Sequence, residues 1–132
     1  VKRVRKTKLP VPADVASAIR AADAKKASAI AVLDLRKADG FTDFFVICTA
    51  QNQRQIKAVA DAVEDALRAE FHLKPAHVEG YGRAEWVLLD YFDFIVHVFT
   101  PETRTFYGLE RLWGSASPVD LQGILATPPP GH

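Results

Sequence analysis

The stretch AQNQRQIKAVADAVEDALRAEF, residues 50–71, constrains this chain more than any other. Ile56, Val59, Ala60, Val63 and Leu67 recur at i, i+3, i+4, i+7 and i+11, which places them on one face of a helix. Lys57, Asp61, Glu64 and Arg68 take the opposite face, and Asn52 stands where an N-cap belongs. On either side lies an apolar run rich in β-branched and aromatic residues, FTDFFVICT before and WVLLDYFDFIVHVF after. Such runs read as strands. A helix with one apolar face between two strand patterns packs on the sheet that those strands build.

The other segments extend this plan. ADVASAIRAADAKKA carries Val15, Ile19 and Ala22 at helical spacing, a narrow stripe made mostly of alanine. SAIAVLDLR reads as a strand, and Asp39-Gly40 supplies a turn that makes a hairpin with FTDFFVICT. A short third strand is expected near His77-Val78, a fourth in EWVLLD and a fifth in DFIVHVF. PETRTFYGLERLWG closes with a helix on which Phe106, Leu109, Leu112 and Trp113 can share a face, with Pro101 near its start. The order α-β-β-α-β-β-β-α predicts a single α/β domain, a mixed five-stranded sheet with helices packed on it. The expected boundaries are a basic flexible tail over 1–11, the domain over 12–115 and a disordered Pro-rich tail over 116–132. Ile56, Val59, Val63 and Leu67 are expected to face the sheet, against Ile30, Val32, Val46, Leu88 and Val96.

Composition narrows the class. The 132 residues are 48% hydrophobic and 25% charged, in keeping with one soluble globular domain. No apolar run approaches the roughly 20 residues needed to span a bilayer. The N-terminus is basic without an apolar segment behind it, unlike a secretory signal. One cysteine, Cys48, excludes an intramolecular disulfide and a Cys-based zinc finger, and reads as a small buried hydrophobe. A reducing, intracellular compartment fits this usage. The formal charge is +1, but VKRVRKTK holds five basic residues and no acid; the remainder has 12 basic against 16 acidic residues, a net −4. The basic stretch reads either as a solvated tail or as a source of salt-sensitive, non-specific RNA contact.

Two acids and a histidine in WVLLDYFDFIVHVF invite a catalytic reading. Asp90 and Asp93 are three apart and point to opposite faces of a straight strand. A tight hairpin with Tyr91-Phe92 at its tip brings them together. With Asp43 they would form the Mg²⁺ site of a nucleotidyltransferase, the alternative function. Such chemistry also requires a phosphate cradle. The candidate turn, TAQNQRQ, has neither glycine nor serine, and nothing matches a Walker or dinucleotide fingerprint. His97 has no nucleophile partner at a telling spacing, and His72 and His77 do not suit a helical metal pair. The expectation is no catalytic residue, no metal and no cofactor. Tyr81, Trp86, Tyr91 and Phe92 are instead candidates for an aromatic cluster near loops, and such clusters anchor protein interfaces.

DGFTDFFVICTAQNQRQIKAVADAV, EGYGRAEWVLLDYFDFIVHVF and RTFYGLERLWG, in this order from about Leu33 to Gly114, closely resemble the Iojap family of ribosomal silencing factors. Phe41-Thr42-Asp43, Arg54-Gln55, Glu79-Gly80, Trp86-Val87, Asp90, Asp93, Val96-His97-Val98 and Leu109-Glu110-x-Leu112-Trp113 carry the resemblance. It implies a nucleotidyltransferase-like fold without established transferase activity. It also implies a translational repressor that binds protein fourteen of the large ribosomal subunit and blocks joining of the subunits. A homodimer is implied for the free protein and a bacterial cytoplasmic location is expected, while organellar relatives are linked to large-subunit assembly. The family's hairpin usually reads Asp-x-Gly-Asp, whereas here it is Asp90-Tyr91-Phe92-Asp93. Glycine suits a turn with positive φ and phenylalanine is strained there, so a wider turn or a different turn type is expected. A basic ribosomal partner favours an acidic face around an aromatic anchor. The expected partner-binding residues are therefore Asp43, Glu79, Tyr81, Glu85, Trp86, Asp90, Tyr91 and Asp93, with Trp86 at the centre.

Overall fold

The structure, a computed structural model, describes residues 9–38, 41–114 and 116–126. The Asp39-Gly40 turn and the basic residues 1–8 lie outside them. The elements are α1 (Ala13–Ala24), β1 (Ser28–Asp34), β2 (Phe44–Thr49), α2 (Gln53–Phe71), β3 (His77–Glu79), β4 (Trp86–Asp90), β5 (Phe94–Phe99), α3 (Pro101–Tyr107), α4 (Leu109–Leu112), β6 (Ser117–Pro118) and α5 (Gln122–Leu125). One sheet runs in the order β3-β4-β5-β2-β1-β6. β2 and β5 pair in parallel at its centre, Phe44 against Phe94 through Thr49 against Phe99, and the other pairs are antiparallel. From β2, α2 carries the chain to edge strand β3, and the β3-β4-β5 meander returns it beside β2.

The central strands are buried on both faces, which is why their sequences are continuously apolar rather than alternating. Phe44, Val46, Cys48, Phe94, Val96 and Val98 face the helices α1 and α2. Phe45, Ile47, Ile95 and Phe99 face the other way, with Trp86 and Leu88 of β4. Leu88 therefore lies opposite the α2 face it was expected to join. Val32, Val46 and Val96 are on that face with Ile56, Val59, Val63 and Leu67, and Ile30 packs at its margin. The side-chain period of two decides this: Val87 and Leu89 point to the helices, so Leu88 cannot.

α2 begins as its sequence predicts. Asn52 Oδ1 accepts the Gln55 N–H at 2.9 Å, and the chain ends the helix with His72 in the left-handed region, φ 53°. The alanines of α1 let it lie close to α2, and the Ser17 hydroxyl meets Glu70 across that contact. Cys48 is buried as expected, which pushes its thiol up to about 12.

Four features differ from expectation. The sheet has six strands, because Ser117-Pro118 pairs with Leu33-Asp34. The segment 116–126, expected to be disordered, is held down: the Val119 N–H donates to Val32 O at 2.9 Å and Arg20 Nε donates to Ile124 O at 2.9 Å. Ile124 is fully buried. Two strand residues and one buried isoleucine are too few to show a period. Leu9 and Val11, assigned to the tail, pack on the helix-side core. Finally, the C-terminal helix is two helices. Gly108 takes φ 55° between them, so Phe106 and Leu112 point to solvent while Leu109 and Trp113 pack on the sheet.

Candidate functional site

The two faces of the sheet are covered unequally, and the aromatic residues collect on the thinner one. In the β4-β5 hairpin Trp86 lies opposite Phe99 and Leu88 opposite His97. This register puts Trp86 and His97 on one face, diagonal to each other. The indole Nε1–H donates to His97 Nδ1 at 3.0 Å. Phe99 stacks under the indole at 4.9 Å and Tyr107 of α3 flanks it at 4.5 Å, tilted by 46°. His97 is 3% exposed, and burial lowers its pKa to about 3, so the ring is neutral. Because Nδ1 accepts, the ring proton sits on Nε2, which has no hydrogen-bond partner among the described residues. Phe45 stands perpendicular to the imidazole at 4.7 Å. The histidine of WVLLDYFDFIVHVF is thus committed to holding a tryptophan.

Beside the indole lies an open pocket of about 310 Å³, lined by Gly80, Arg83, Glu85, Trp86, Thr103 and Tyr107. Gly80 has φ 80°, and a Cβ there would come within 2.0 Å of Trp86 O, so only glycine lets the loop approach β4. Glu85 O accepts from the Thr100 N–H at 3.0 Å and from Thr103 Oγ1 at 2.7 Å, which ties the start of α3 to the rim. Arg83 and Glu85 face each other at 3.6 Å on the exposed side. Arg104 fixes α3 and α4 to the sheet: it donates to both carboxylate oxygens of Glu110 at 2.9 Å, to Ala29 O at 2.6 Å and to Thr49 Oγ1 at 2.8 Å. Its guanidinium holds the Glu110 carboxyl below the usual range.

The expected partner-binding residues do not converge. Glu85 and Trp86 meet at the pocket. Asp43, Asp90 and Asp93 stand at the other end of the sheet, where the Asp43 N–H donates to Asp93 O at 2.9 Å. Tyr81 turns to the helix side; its hydroxyl donates to Asp61 of α2 at 3.1 Å, and Lys57 Nζ lies 5.3 Å from its ring. Tyr91, expected at the surface, is 4% exposed and stacks on Phe94 in the helix-side core, where burial pushes its phenol up. Glu79 sits on edge strand β3, paired with His77. The aromatic cluster is instead Trp86, His97, Phe99 and Tyr107. Sequence reasoning had one signal for it: folding WVLLDYFDFIVHVF about its aspartates puts Trp86 and Leu88 opposite Phe99 and His97. Nothing local marks Tyr107.

The expected turn types are settled by the same hairpin. Phe92 takes φ 69°, and the Asp93 N–H donates to Tyr91 O at 2.8 Å, a γ-turn centred on Phe92. Asp90 Oδ1 is occupied by the Phe92 N–H at 2.8 Å. Among the described residues no three His, Cys, Asp or Glu side chains group to hold a metal. The start of α2 is also self-satisfied: Gln55 Oε1 accepts from the Gln51 N–H at 2.7 Å while Asn52 caps Gln55. These side chains stand where a phosphate cradle would present free N–H groups.

A family model described as "Ribosomal silencing factor during starvation" matches residues 8–131. The chain belongs to the ribosomal silencing factor family. The ribosomal silencing factor of Halalkalibacterium halodurans is 37% identical over 83% of this chain and 92% of its own length. That of Bacillus subtilis is 38% identical over 79% and 87%. The chloroplastic Iojap protein of Zea mays is 38% identical over 80% of this chain and 45% of its own. A crystal structure of a Chromobacterium violaceum protein superposes with a TM-score of 0.73 at 34% identity, covering 76% of this chain and 83% of that one. One from Bacillus halodurans gives 0.71 at 34% identity, over 81% and 96%. These bacterial proteins share the chain's fold, and its relatives include a chloroplastic protein. No described helix of this family member is long and apolar enough to cross a membrane.

Proposed function

We propose that this silencing factor binds protein fourteen of the large ribosomal subunit, blocks joining of the small subunit and so represses translation. It acts by occupancy, without turnover. The observation that carries this reading is the fixed Trp86. Its one polar atom is tied to His97, its ring is held by Phe99 and Tyr107, and it stays partly exposed beside a pocket rimmed by Glu85. A preset aromatic is a low-entropy anchor for a protein interface. The net −4 outside the basic stretch suits a basic partner lying on rRNA. A bacterial cytoplasmic setting and a homodimer in the free state belong to the same reading. Residues 1–8 add a salt-sensitive contact to RNA.

Co-sedimentation with purified large subunits tests it. Trp86→Ala is expected to keep its circular dichroism and lose about 2 kcal/mol of binding, roughly thirtyfold in Kd. A folded Trp86→Ala protein that sediments like the wild type moves the anchor elsewhere. Failure of the wild type to sediment removes the proposal.

A further inference from the structure

The other end of the sheet carries a feature that folding alone does not explain. Phe92 sits at the centre of a γ-turn with φ 69°, where a side chain is strained and glycine is not. Three hydrogen bonds hold it there. Its N–H donates to Asp90 Oδ1 at 2.8 Å, its carbonyl accepts from Thr42 Oγ1 at 2.7 Å, and Asp93 N–H closes the turn on Tyr91 O at 2.8 Å. All three survive replacement of its side chain by hydrogen. The side chain itself is 73% exposed. Neighbouring Phe41, one residue before Thr42, is also 73% exposed and touches Trp113 at a ring distance of 6.5 Å. Phe41 thereby continues the thinly covered face that bears Trp86.

We propose that Phe92 and Phe41 form a second, apolar contact to a basic protein surface, the one that Trp86 anchors. This rests on the function proposed above. Charge selects the class of partner. Asp43, Asp90 and Asp93 surround the tip, while Arg36 is engaged by Asp34 at 2.7 Å. Such a rim repels phosphate and attracts lysine and arginine. It also disfavours a second copy, because a twofold contact through the tip would bring the same carboxylates together. Reach is sufficient: β4 runs from Trp86 to Asp90, about 13 Å of strand, and Phe92 lies two residues beyond it, so the two side chains' backbones are no more than about 20 Å apart. One partner burying about 800 Å² on its side can cover both points.

The experiment is Phe92→Gly in the full chain, with thermal melting, sedimentation velocity and titration against purified large subunits. The expected result is a melting temperature at or above wild type, an unchanged oligomeric state and at least tenfold weaker binding. Phe41→Ser should weaken binding in the same direction. Wild-type affinity in Phe92→Gly overturns the contact while leaving the function standing, whereas a wild type that does not bind subunits overturns both. A lowered melting temperature shows that Phe92 serves the fold. A changed oligomeric state assigns the tip to self-association. Phe92-dependent retention of protein-free rRNA rejects a protein partner. Each of these last three outcomes overturns the proposal.

Discussion

The two faces of one sheet both receive apolar side chains from the same strands, yet the chain covers them differently. On one face lie the 19 residues of α2 and the 12 of α1, with Ile56, Val59, Ala60, Val63 and Leu67 all at 0% exposure. On the other lie helices of 7 and 4 residues, neither of which has a buried residue. Phe106 and Leu112, their most exposed apolar side chains, stand at 78% and 73% exposure. The lesson is about where stability and recognition reside. The helix face completes its own burial, and the other face leaves aromatic surface that a partner can complete. Such a division follows from topology, since α2, the one long crossover helix among the described residues, can sit on one side.

The contrast breaks first, if it breaks, at Leu67. It is fully buried in the helix-side cluster, so Leu67→Ala removes apolar contacts and leaves a cavity. The expected cost is about 2–5 kcal/mol in denaturant titration. A cost near zero would mean that the helix face is not the stabilising one.

A smaller effect reads the thin face through pH. Unfolded, His97 takes its proton near 6.5; folded, burial delays that to about 3. Below pH 6.5 the unfolded state therefore binds more protons. The contribution is complete above pH 6.5 and is lost as pH falls toward 3. The slope is about 1.4 kcal/mol per pH unit, so roughly 2 kcal/mol disappear between pH 6.5 and 5. That window lies mostly above carboxylate titration. His97→Phe cannot take a proton and should show a flatter profile than the wild type over the same range. Parallel profiles in urea titrations would place the folded imidazole in contact with solvent and dissolve the clasp on Trp86.

How much of this was legible follows from how far each signal reaches along the chain. α2 announced itself because nineteen residues repeat one period, and its Asn52 cap followed from local chemistry. β2 and β5 were legible as strands because both are buried throughout. Leu88 was misplaced because an unbroken apolar run conceals which residues share a face. The segment 116–126 was missed because its hold is tertiary, through Arg20 and Val32. At the site, Trp86 was legible as an aromatic beside a glycine-rich loop. Its clasp was not, because Tyr107 comes from another element and Tyr81 and Tyr91 turn to the helix side. Aromatic residues near one another in sequence can face opposite ways across a sheet.

The smallest expected effect sharpens the comparison most, because it sets one leucine against another. Leu112 on α4 is 73% exposed, so replacing it removes little buried surface. Glutamine has nearly the same helix propensity as leucine, which leaves α4 itself undisturbed. Leu112→Gln should therefore change unfolding stability by no more than about 0.5 kcal/mol. In binding the expectation differs. Leu112 adjoins Trp113, which touches Phe41 and Phe45 at ring distances of 6.5 and 5.8 Å. It thus lies one residue from the aromatic surface that Trp113 shares with Phe41 and Phe45. Losing an apolar flank from an interface typically costs under 1 kcal/mol, a few-fold in Kd. Paired denaturant and large-subunit titrations of Leu112→Gln separate the two quantities. A stability loss as large as that of Leu67→Ala would show that the thin face is core after all. Unchanged binding would confine the interface to the sheet and leave α4 outside it.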